Sequence, residues 1–109
     1  MKLNEKTCIM TKKGTPRLEG DDLQVFKRAI SSEWVLTHDD TRLFKKYEFK
    51  NFKSALALVN TIGEIAEEQR HHPDISFGWG YLNIEITTHS IEGLVESDFI
   101  LASKIDHIE

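Results

Sequence analysis

Three histidines carry most of the chemistry that this sequence offers. His71 and His72 are adjacent in EEQRHHPDISFGWG, and Pro73 follows at once; a third, His89, comes one predicted strand later in ITTHS. Histidine is the side chain whose ordinary titration lies nearest neutral pH, so imidazoles can both give and take protons under cellular conditions. The pair sits where a charged helical run must stop, and the partial negative charge of a helix C-terminus favours a cation placed there. Such a residue can protonate a leaving group. Asp98, near the start of the last predicted helix, can orient an imidazole, and Trp34 or Trp79 can serve as an aromatic wall.

Plainer readings compete with this one. A histidine at a helix end is more often a cap than a catalyst, tryptophans are more often core than ligand platforms, and Glu67 and Glu68 suit the solvated face of a helix. Zinc is the sharper rival, since three histidines can hold it with an open fourth position. Adjacent helical residues, however, point about 100° apart and do not converge on one ligand point. The chain has neither HExxH nor a cysteine pair, and no Gly-rich phosphate loop or nucleophile elbow. Metal-free acid–base chemistry is the better enzymatic reading, with no metal ligand and no bound cofactor assigned.

The elements that must position these residues follow from periodicity. Residues 1–19 show little of it and read as an extended, partly ordered N-terminal arm; residues 20–109 form the domain. Asp21 and Asp22 suit a helix start, and Leu23, Phe26 and Ile30 recur at helical spacing, predicting a helix over 21–31. Two short runs flank Asp39 and Asp40 and predict a hairpin, with strands near 33–38 and 42–49. Phe52, Ala55, Leu56, Val59, Ile62, Gly63 and Ala66 make one apolar stripe over a helix at 52–70, which Pro73 forces to end by about His71. Leu82, Ile84 and Ile86 alternate with polar residues, as in a half-buried strand at 82–88. Leu94, Leu101, Ala102, Ile105 and Ile108 predict a C-terminal amphipathic helix. SFGWG, residues 76–80, reads as a flexible loop with room for a further strand near Phe77–Trp79. The expected fold class is α+β: a four-stranded antiparallel sheet with three helices packed on one face.

Bulk properties narrow the function. The 109 residues suit one domain with a modest core, for which shared surface with another subunit is an advantage. A formal net charge of −4 without a basic cluster disfavours direct nucleic-acid binding. No apolar run is long enough to cross a membrane and no signal-peptide pattern opens the chain; with Cys8 as the one cysteine, a cytoplasmic location is expected.

Taken in order, Glu67, His71-His72-Pro73, Trp79, His89 and Asp98 resemble the signature of the pterin-4a-carbinolamine dehydratases, also known as dimerisation cofactors of a hepatocyte nuclear factor. HHPDISFGWGYLNIEITTHSIEGLVESDFILASKID resembles bacterial members in particular, and the resemblance runs over roughly residues 20 to 108. It implies dehydration of a 4a-hydroxytetrahydropterin to the quinonoid dihydropterin, which recycles the pterin of aromatic amino acid hydroxylases, with the pterin as substrate and no cofactor. It implies that His71, His72 and His89 are catalytic, that Trp34, Pro73, Thr88, Ser90 and Ile91 contact the substrate, and that Glu67 and Asp98 support the histidines. It also implies a homodimer or homotetramer, formed by joining sheet edges and packing helices, with the 82–88 strand as a candidate edge. The alternative is a non-catalytic dimerisation or assembly partner, a role for which the intact histidines are not needed.

Overall fold

The computed structural model describes residues 2–108. After a short 3-10 turn at Leu3–Glu5, the chain runs α1 (Gly20–Arg28), β1 (Val35–Thr37), β2 (Arg42–Glu48), α2 (Phe52–Gln69), β3 (Asp74–Gly78), β4 (Tyr81–Ile86), a 3-10 turn at His89–Ile91, and α3 (Glu96–Asp106). The sheet is antiparallel throughout, in the order β1-β2-β4-β3. The three helices lie on one face of it, as expected.

Local chemistry explains the boundaries. His38, Asp39 and Asp40 all take left-handed backbone angles at the β1–β2 turn, a conformation that these residue types tolerate better than most. Asn51 caps α2 by accepting from the Ser54 backbone N–H at 2.7 Å. In β4, Leu82, Ile84 and Ile86 are fully buried against the helices. Each such side chain contributes about 1.5–3 kcal/mol through burial.

Four expectations are corrected. The last helix is not amphipathic: Ser97 through Ser103 and Ile105 are all buried, because α1, α2 and the N-terminal segment pack around it. The N-terminal segment is extended as expected, but it is tied to the helices instead of being only partly ordered. Cys8 N–H donates to Gln69 Oε1 at 2.8 Å, the Ser97 hydroxyl both accepts from Ile9 N–H and donates to Ile9 C=O, and Lys104 donates to the Asn4 carbonyl. Polar side chains of the helices thus satisfy an extended backbone that has no strand partner. SFGWG is not a loop through most of its length, since Asp74–Gly78 pairs with β4 from Asp74↔Glu85 to Gly78↔Tyr81. Finally, β4 lies inside the sheet, between β2 and β3, so the exposed edges are β1 and β3.

Candidate active site

The histidines are set by how α2 ends. Arg70 takes the left-handed conformation, with φ of 53°, just past the last helical turn. Its N–H bonds back to the Glu67 carbonyl and the His71 N–H to that of Ala66, which is the paired closure of a Schellman motif. The reversal swings His71 and His72 off the helix and aims them apart. Pro73 then fixes an extended exit into β3.

His71 turns inward. Its Nε2 lies 2.6 Å from Asp98 Oδ1, and the two side chains are 13% and 0% exposed. Asp98 sits in the first turn of α3, where its other oxygen accepts from the Val95 backbone N–H and from the Thr88 hydroxyl, each at 2.8 Å. A buried carboxylate needs such donors to stay charged. Where Asp98 Oδ1 accepts, His71 Nε2 is the donor and Nδ1 is the ring nitrogen left for another partner. Three elements are tied at this one carboxylate: the end of α2, the end of β4 and the start of α3.

His72 turns outward, with Nε2 2.5 Å from Glu67 Oε2 on the exposed face of α2. His89 opens the 3-10 turn after β4, next to Thr88, and its Nε2 lies 3.4 Å from Asp74 Oδ2. Each of the three imidazoles therefore faces its own carboxylate. The contacts close a ring through the chain: Glu67, His72, Pro73 and Asp74 on one side, His89, Thr88, Asp98 and His71 on the other. The result is one inner, sheltered imidazole and two open ones in a single corner of the fold.

The remaining predicted residues divide. Pro73 and Ile91 are half-buried and Ser90 is exposed within the same corner. Thr88 is buried, with its hydroxyl given to Asp98, so it supports the carboxylate instead of offering that hydroxyl to a ligand. Trp34 does not reach the corner. It is fully buried, and its indole N–H donates to Asp106 Oδ1 at 2.8 Å, at the other end of α3, about 12 Å along the helix from Asp98. Lys45 Nζ donates to the same oxygen at 3.0 Å and stacks on Tyr47 at 4.7 Å and Trp34 at 5.5 Å. Burial acts to lower the Lys45 pKa, but the partnership with Tyr47 and Asp106 prevails and raises it. Trp79 is 71% exposed at the β3–β4 turn, the far end of β3 from the histidines. Asp74 is the functional candidate that the sequence reading missed. It follows HHP directly, and β3 starts at Asp74, three residues before the strand expected near Phe77–Trp79, which brings it to His89. Among the described residues no group of three His, Cys, Asp or Glu side chains is arranged to hold a metal ion.

Comparison with known proteins identifies the family of the chain. The family described as Pterin 4 alpha carbinolamine dehydratase matches residues 16–108. A "Putative pterin-4-alpha-carbinolamine dehydratase" of Rubrobacter xylanophilus is 46% identical over 106 residues, covering 97% of each chain. A relative of the same name from Alkaliphilus metalliredigens is 43% identical over 104 residues, covering 95% of this chain and 93% of its own. Among solved structures, a transcriptional coactivator/pterin dehydratase from Brucella melitensis has the same fold, with a TM-score of 0.75 over 83% of this chain and 95% of its own, at 24% identity. A pterin dehydratase-like protein identified as a RuBisCO assembly factor in the alpha-carboxysome aligns with a TM-score of 0.59 and 27% identity, over 68% of this chain and 86% of its own.

Proposed function

Because this chain belongs to the pterin-4a-carbinolamine dehydratase family, we propose that it removes water from a 4a-hydroxytetrahydropterin by histidine acid–base catalysis. The observation that carries the reading is the corner itself: three imidazoles, each facing a carboxylate, with one of them sheltered.

The reaction needs two proton transfers. One proton goes to the 4a-hydroxyl oxygen, the C4a–O bond breaks and water leaves. The other leaves N5, whose N–H electron pair becomes the C4a=N5 double bond of the quinonoid dihydropterin. In the proposed arrangement His71 and His89 flank the hydroxyl as acid and base, and His72 orients or protonates the ring. Asp98 holds His71 in one tautomer, Glu67 and Asp74 serve His72 and His89, and Pro73, Ser90 and Ile91 meet the substrate. The proton taken from N5 returns through solvent to the acid, so the protein ends each turnover unchanged. Acid–base transfer by positioned imidazoles contributes roughly 10²–10⁴-fold each.

The same reading supplies the context. The substrate comes from an aromatic amino acid hydroxylase, the product passes to a reductase, and the protein works in the cytoplasm without a bound cofactor. Phe52 and Leu56 on the outer face of α2, both exposed, favour a homodimer or homotetramer that covers them. The test is dehydration of chemically generated 4a-hydroxytetrahydropterin, followed by absorbance, with wild-type protein and with His71→Ala, His72→Ala and His89→Ala. Acceleration by the wild type that falls at least tenfold in the variants supports the assignment. No acceleration by folded wild type sinks it, and favours the assembly-partner role that the alpha-carboxysome protein illustrates on a related fold.

A further inference from the structure

His89 also stands on the wall of an open groove of about 420 Å³, lined with it by Arg17, Thr41, Arg42, Thr87 and Glu92. The groove draws on three separate stretches of chain: the end of the N-terminal segment, the start of β2, and the loop after β4. Arg17 is held across it. Its Nη1 donates to the Glu92 carbonyl at 3.0 Å, and the next residue, Leu18, bonds through its N–H to the Leu94 carbonyl at 2.7 Å. Gly93 makes this possible, because a Cβ there would lie 2.6 Å from Arg17 Cδ and 2.8 Å from Arg17 Cβ.

The unused hydrogen-bonding capacity of the groove is mostly that of donors. The Thr87 hydroxyl is given to the Thr41 carbonyl, with Gly93 C=O as a second acceptor. Arg42 spends one N–H on Glu85, at 2.8 Å, and Arg17 Nε lies 3.8 Å from Glu19. A guanidinium has five N–H donors, so both arginines keep donors free. Two guanidiniums and an imidazole line the groove against a single lining carboxylate, that of Glu92. Guanidiniums from separate walls suit a tetrahedral phosphate better than a neutral hydroxyl.

We propose that this groove is a subsite for a phosphate monoester on the side chain of the pterin, so that the preferred substrate is a phosphorylated 4a-hydroxytetrahydropterin. The proposal rests on the dehydratase reading for the position of the ring, beside His89; the charge preference belongs to Arg17 and Arg42.

Binding separates the two ideas. Oxidised pterins are stable and fluorescent, and the one with a neutral dihydroxypropyl side chain is titrated beside its phosphate monoester. The proteins are the wild type, Arg17→Gln, Arg42→Gln and Gly93→Ala, each first shown to be folded by its thermal transition. The wild type is expected to bind the phosphate monoester about tenfold more tightly than the neutral pterin. Either glutamine variant removes most of that advantage while changing affinity for the neutral pterin less than about twofold, and Gly93→Ala, which displaces Arg17, behaves like Arg17→Gln. Inorganic phosphate competes with the monoester alone. Equal affinity of the wild type for the two pterins overturns the proposal, as does an advantage that survives both arginine substitutions. If neither reduced 4a-hydroxypterin is dehydrated but the phosphate preference holds, the dehydratase reading falls and the subsite stands. If both are dehydrated with equal kcat/KM and both oxidised forms bind equally, the subsite falls and the dehydratase reading stands.

Discussion

The imidazole of His71 and the carboxylate of Asp98 meet at 2.6 Å across the joint between the end of α2 and the first turn of α3. The same carboxylate caps the helix that bears it and binds the end of β4 through Thr88. One side chain therefore serves both the fold and the proposed chemistry, and the two roles can be separated by measurement.

Asp98→Asn replaces an acceptor by an amide whose N–H₂ must face a donor. The expected cost is about 1–3 kcal/mol in denaturant unfolding, because buried polar groups are left mismatched. Dehydration is expected to fall as well, with an altered pH profile, since the His71 tautomer is no longer fixed. Unchanged kinetics in the folded variant would remove Asp98 from the mechanism.

His71→Ala and His72→Ala should differ in stability although they are neighbours. His72 is mostly exposed, so its loss should change unfolding free energy by no more than about 0.5 kcal/mol. Loss of the sheltered His71 leaves Asp98 short of a donor and should cost about 1–3 kcal/mol. Urea titrations of the two variants side by side check this.

Trp34→Phe should act on stability alone. It deletes the indole N–H that Asp106 accepts and should cost on the order of 1 kcal/mol, leaving dehydration within about twofold of wild type. A large loss of activity with stability kept would return Trp34 to the substrate site.

Alkaline pH should loosen the protein through Cys8 and Lys45. Burial pushes the Cys8 thiol up to about 11 from 9.0. Between those values the folded chain keeps a proton that the unfolded chain releases, so stability is full below about pH 9 and declines as pH approaches 11. Lys45, also raised, contributes stability below 10.5 that is lost as pH rises through its folded value. Cys8→Ala should flatten part of the decline in urea midpoint between pH 8.5 and 10.5. The wild-type thiol should also be alkylated slowly at neutral pH until denaturant is added.

The sequence exposes those parts of the structure that obey a period or a prohibition. The apolar stripe of α2, its stop before Pro73 and the alternation of Leu82, Ile84 and Ile86 are of this kind, and they place His71, His72 and His89 near their true positions. What it hides depends on distant partners. Cys8 and Ile9 have no periodicity, since their order comes from Gln69 and Ser97. Leu101 and Ile105 mark one face of α3, but nothing local says that Ser97 and Ser103 on the other faces are covered too. The burial of Trp34 is decided by Asp106 and Lys45, and the pairing of Asp74 with His89 by the β3–β4 register.

The docking of the N-terminal segment bears on the order in which the protein comes into being. Its contacts reach Gln69, Ser97 and Lys104, at separations of 61, 88 and 100 residues. The segment must therefore wait, unpaired, until α3 has been synthesised. Asp98 arrives in that same late helix. His71 is made well before it, yet its carboxylate partner is missing until the first turn of α3 docks.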